Sequence, residues 1–126
     1  MSTSTPRSNL PQLYSVELRT AQWPAVLRWY RDVLGLRSLV RVVEDGFALL
    51  GAGTVRIALL SREQPGPASE RLSLAFEVDD LDSLVVRLAR AGTRATAPQL
   101  TSEGYRVVST SDPDGNQIRI FAWPRR

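Results

Sequence analysis

Three side chains that carry much of enzyme chemistry are missing from this 126-residue chain. Without histidine there can be no Ser–His triad, no imidazole base and no imidazole metal ligand. The absence of cysteine removes disulfides, cysteine zinc sites and thiol nucleophiles. All 16 cationic side chains are arginine, so Schiff-base chemistry on lysine is excluded as well. The chemistry left open is that of 13 carboxylates, which can hold or move a proton, and of guanidinium groups, which bind anions or steady an oxyanion. The net charge of +3 is spread along the chain, with no basic stripe interleaved with aromatics, so no nucleic-acid partner is expected.

At 43% hydrophobic and 23% charged residues, the composition is that of one globular domain. No apolar run approaches the roughly 18 residues of a membrane span. Residues 1–12 are rich in Ser, Thr and Pro and lack an apolar signal core, so a disordered tail and a cytoplasmic location are expected. Residues 13–126 then form a single domain. Leu13–Thr20 alternates as a strand, and Trp23-Pro24 opens a helix with Val26, Leu27, Tyr30, Val33 and Leu34 on its apolar face, stopped by Gly35. Three strands follow, over Arg37–Val43, Phe47–Leu50 and Val55–Leu60. A linker at Arg62–Glu70 contains Pro65-Gly66-Pro67, which forbids regular structure.

After the linker the order repeats. Leu72–Val78 reads as a strand, and Asp80, Leu81 and Asp82 begin a helix with the buried stripe Leu81, Leu84, Val85 and Leu88, ended by Gly92. Arg94–Ala97, Tyr105–Thr110 and Gln117–Ala122 supply three more strands. The repeat also holds in register: Ser15 and Ser73 lie 58 residues apart, as do Glu44-Asp45-Gly46-Phe47 and Ser102-Glu103-Gly104-Tyr105. Module 1 spans about 13–61 and module 2 about 71–123.

Asp112-Pro113-Asp114-Gly115-Asn116-Gln117-Ile118-Arg119 resembles the closing hairpin of the vicinal oxygen chelate superfamily, which includes glyoxalase I, extradiol dioxygenases and bleomycin-resistance proteins. Trp29-Tyr30-Arg31-Asp32-Val33-Leu34-Gly35-Leu36 is similar to its first-helix signature. The resemblance implies an α+β fold of two βαβββ modules, forming curved mixed sheets around a shared cleft, and a homodimer. It also implies four inward metal-ligand positions, which fall here on Ser15, Ala58, Ser73 and Arg119. Two hydroxyls, a methyl and a guanidinium are not a divalent-cation site, so neither metal nor other cofactor is expected.

If Ser15 faces the cleft, strand alternation sends Glu17 and Arg19 there too, with Arg56 beside them. Ser73, Glu77, Arg119, Phe121 and Trp123 line it from module 2. This lining suits a polar, partly aromatic small molecule that is anionic or zwitterionic. Glu17 has two readings: a base serving a metal-independent lyase or isomerase, with Arg119 holding the oxyanion, or the ion-pair partner of Arg119 in the place of the metal. Arg56 could instead be a solvated strand residue, and Phe121 and Trp123 could be core or dimer-interface aromatics. Asp112 and Asp114 read as turn residues. A non-catalytic dimeric accessory domain is the third functional alternative.

Overall fold

Hydrophobic alternation decides which side of each strand meets the helices. In β1 (Ser15–Thr20) Leu18 packs on the core and Thr20 is fully buried, while Glu17 and Arg19 stand in solvent. The computed structural model describes residues 9–124, so the expected tail lies mostly outside the described residues. After β1 come α1 (Trp23–Arg28), β2 (Arg37–Val42), β3 (Phe47–Ala52) and β4 (Val55–Ser61). Module 2 repeats the plan with β5 (Ser73–Glu77), α2 (Leu81–Arg90), β6 (Gln99–Leu100), β7 (Arg106–Ser111) and β8 (Gln117–Ala122).

The two sheets have matching topology, β1-β4-β3-β2 and β5-β8-β7-β6. In each, the first strand runs parallel to the last and the remaining pairs are antiparallel. The α+β arrangement of two βαβββ modules is therefore as the repeat implies. One hydrophobic core serves both: Val26, Leu27 and Tyr30 from module 1, Leu50 and Leu59 from its sheet, and Leu84, Leu88, Ile118 and Ile120 from module 2.

Local chemistry sets the elements. Pro24 occupies the first turn of α1, where its missing donor costs nothing. Asp80 caps α2 by accepting from the Ser83 N–H at 3.1 Å and the Ser83 hydroxyl at 2.8 Å. The first helix departs from the simple pattern by widening into a π-turn over Trp29–Val33, where the Leu34 N–H reaches back to the Trp29 carbonyl at 3.1 Å. Gly35 ends it at φ +85°, and a β-carbon there would stand 3.3 Å from Nη2 of Arg87.

One expected strand is displaced. Arg94–Ala97 contributes only an isolated bridge from Ala95 to Thr110, and the edge strand β6 forms later, at Gln99–Leu100. Pro98 cannot donate to a ladder, and the Thr96 hydroxyl takes over by accepting the Ser109 N–H at 2.9 Å.

Polar contacts join the modules across the core. The Tyr30 hydroxyl donates to Oδ2 of Asp112 at 2.6 Å, with both residues buried. Arg87 donates to the Leu34 carbonyl at 2.9 Å and the Trp29 indole to the Thr93 hydroxyl at 3.2 Å. Burial and the Asp112 carboxylate together hold the Tyr30 phenol protonated far above its usual range. Replacing Tyr30 by Phe is expected to lower unfolding free energy by about 2 kcal/mol in urea titrations, since a hydrogen bond to a buried carboxylate is lost. Free tyrosine ionises near pH 10 in the unfolded chain, whereas folded Tyr30 keeps its proton. Wild-type stability should therefore fall as pH rises past about 10, with a shallower fall in Tyr30→Phe.

Candidate functional site

The side of each sheet turned away from the core carries the charged candidates. In the first sheet, register sets Ser15 opposite Arg56 and Glu17 opposite Ala58, so Ser15, Glu17, Arg19 and Arg56 share a face. Arg56 is half-buried, and its guanidinium carbon lies 4.7 Å from the centre of the Tyr14 ring. In the second sheet, Ser73 lies opposite Gln117, Ala75 opposite Arg119 and Glu77 opposite Phe121. Ser73, Glu77 and Arg119 are exposed there, and Phe121 is half-buried. Trp123 extends this face just beyond β8. Tyr105 sits against both aromatics, with ring centres 5.2 Å from Phe121 and 5.1 Å from Trp123.

The expected Glu17–Arg119 ion pair does not form. Glu17 instead meets Arg19 of its own strand at 3.4 Å, with side-chain exposures of 55% and 50%. Glu17 lies on an edge strand of one sheet and Arg119 on an inner strand of the other, and the chain packs these sheets through their helix-facing sides. Both residues lie on sheet sides turned from the core, but within one chain those faces are not brought into contact. The Arg119 side chain makes no hydrogen bond or ion pair among the described residues.

A cavity of about 600 Å³ opens elsewhere, between the β3–β4 hairpin, Leu34, Leu36, Leu84 and the edge of β5. Of the candidates it touches only Ser73 and Glu77, and its walls are otherwise mainly aliphatic. The other charged candidates lie outside it, on the sheet faces. A smaller cavity of about 350 Å³ does adjoin such a face, lined by Glu77, Val78, Asp79, Trp123 and Pro124. Asp79 was not singled out from sequence. Its signal was the run Asp79-Asp80-Asp82, which holds more acids than helix capping needs.

The family model for the Glyoxalase/Bleomycin resistance protein/Dioxygenase superfamily matches residues 12–120. The chain belongs to this superfamily. It is 29% identical over 124 residues to the uncharacterized protein YraH of Bacillus subtilis (strain 168), covering 87% of this chain and 97% of that one. Its fold is similar to that of TnmS3, an antibiotic binding protein from Streptomyces sp. CB03234, with a TM-score of 0.76, 20% identity and coverage of 94% and 100%. A lactoylglutathione lyase from Agrobacterium tumefaciens is also similar, with a TM-score of 0.68, 18% identity and coverage of 94% and 96%.

The positions at which the resemblance implies metal ligands carry side chains that do not suit a metal. Ser15 is half-buried, Ala58 is buried, and Ser73 and Arg119 are exposed. Neutral hydroxyls bind a divalent cation poorly, a methyl offers nothing, and a guanidinium repels it. Among the described residues no three His, Cys, Asp or Glu side chains are grouped to hold a metal ion. Also among them, no helix is long and apolar enough to cross a membrane. Because the Glu17–Arg19 pair is half in water, Glu17→Gln should change stability by less than about 1 kcal/mol in urea titrations. A loss of several kcal/mol would instead make Glu17 a structural residue.

Proposed function

We propose that this superfamily member binds or sequesters an anionic or zwitterionic small molecule on its charged sheet faces, without a metal. The observation that carries this reading is Arg119: exposed, without an ion-pair partner among the described residues, and flanked by Phe121 on the same strand face. An open guanidinium beside an aromatic ring offers a carboxylate or phosphate paired hydrogen bonds and its planar neighbour a surface to stack on. The likeness to TnmS3 supports binding as a use to which such a fold is put.

Glu17 fits recognition better than proton transfer. A general base at neutral pH needs desolvation or a like charge to raise its affinity for protons, and this carboxylate is 55% exposed with Arg19 beside it. The two faces also bear on assembly. Glu17, Arg19 and Arg56 lie on one sheet and Glu77, Arg119 and Phe121 on the other, each face open to solvent in the single chain. The chain works as a cytoplasmic homodimer in this reading, with the face of one copy closed by the partner.

Benzoate is the simplest aromatic anion with which to test the site. Reversing the charge with Arg119→Glu should weaken its binding at least tenfold in calorimetric or NMR titrations, because an attraction becomes a repulsion. Unchanged affinity would remove Arg119 from the site and the anionic reading with it.

A further inference from the structure

The acids around β5 are not all accounted for by structure. Glu77, Asp79, Asp80 and Asp82 fall within one six-residue stretch of a chain whose net charge is +3. Asp80 caps α2, and Asp82 receives Nη2 of Arg106 at 3.3 Å. Glu77 and Asp79 are exposed and make no side-chain hydrogen bond or ion pair among the described residues. Between them and Trp123 lies the cavity of about 350 Å³. Trp123 is 50% exposed, yet its ring is braced at 5.1 Å by Tyr105, which packs in turn on Phe121. A braced indole presents its face at little entropic cost, and indole is the best aromatic partner for a cation.

Building on the reading of this face as an anion site, we propose that the Glu77–Asp79–Trp123 cavity binds the ammonium or guanidinium group of the ligand, whose anionic group rests on Arg119. Two acids and a tryptophan lining one cavity suit a weakly hydrated organic cation, which both a carboxylate and an aromatic ring attract. Strand geometry bounds the spacing. Glu77 lies across from Phe121, two positions along β8 from Arg119, which puts its backbone about 8 Å from that of Arg119, and Trp123 is four positions on, about 13 Å along the strand. The arginine side chain can reach over much of that span, so the ligand class is a zwitterion with a rigid or aromatic spacer.

4-Guanidinobenzoate carries both charges on one rigid aromatic ring, and benzoate and phenylguanidinium each carry one of them. Titrating the three into isotopically labelled protein, the zwitterion should bind about tenfold more tightly than benzoate and shift the Trp123 indole resonance. The double variant Glu77→Gln/Asp79→Asn should remove that advantage and the phenylguanidinium binding, while benzoate binding does not fall. Arg119→Gln should weaken the zwitterion and benzoate but not phenylguanidinium. If benzoate binds through Arg119 but the zwitterion gains nothing, or keeps its gain in the double variant, the cation subsite is wrong and the anion site stands. Failure of all three probes to bind overturns both.

Discussion

The hydrogen bond from Tyr30 to Asp112 lies where the two halves of the chain depend on each other. Asp112 is the one carboxylate buried among the described residues. Its two oxygens collect the Tyr30 hydroxyl, the Asp114 and Asn116 N–H groups and the Asn116 side-chain amide, at 2.6 to 2.9 Å. Such a charge is tolerable in the core only when its acceptor sites are filled in this way. Nearby, the Gln22 side chain donates to the Pro113 carbonyl at 3.1 Å and to Asp114 at 2.7 Å, so the start of α1 grips the same hairpin. That hairpin leads directly into β8, which carries Arg119 and Phe121. The first helix of one module thereby holds in place the last strand of the other.

This contact gives the two sequence signatures a common physical reason. The helix signature supplies the donor in Tyr30, and the Asp-Pro-Asp-Gly-Asn turn supplies the acceptor in Asp112. Read separately, Tyr30 is a helix-packing aromatic and Asp112 a turn residue bonding its own backbone, and both descriptions are correct but incomplete. The repeat at 58 residues exposed the duplicated topology, and period-two alternation sorted Glu17, Arg19, Glu77 and Arg119 onto the faces turned from the core. Alternation carries no information about which faces meet, because that depends on long-range packing of the helices. For this reason the sequence allows a Glu17–Arg119 pair that the folded chain does not form. The displacement of β6 has a smaller cause, a proline and a threonine hydroxyl that only tertiary pairing reveals as decisive.

The chain keeps the superfamily scaffold, and the side chains at the positions where the resemblance implies metal ligands are of another chemical kind. Where a cation site would need imidazoles and carboxylates, this chain has Ser15, Ala58, Ser73 and Arg119. In the proposed reading, the Arg119 guanidinium favours an anion where the resemblance implies a metal ligand. Carboxylates have not vanished from these faces, but Glu17 is tied to Arg19, and Glu77 stands toward Trp123 and away from any cluster of ligands.

The central claim is that this surface recognises ligands directly and not through a metal. Elemental analysis of the purified protein tests it most directly, after incubation with manganese, iron, nickel and zinc and removal of the excess. The account predicts that none of the four is retained in stoichiometric amount. One ion held per chain, and lost on Glu17→Gln or Glu77→Gln, would contradict it.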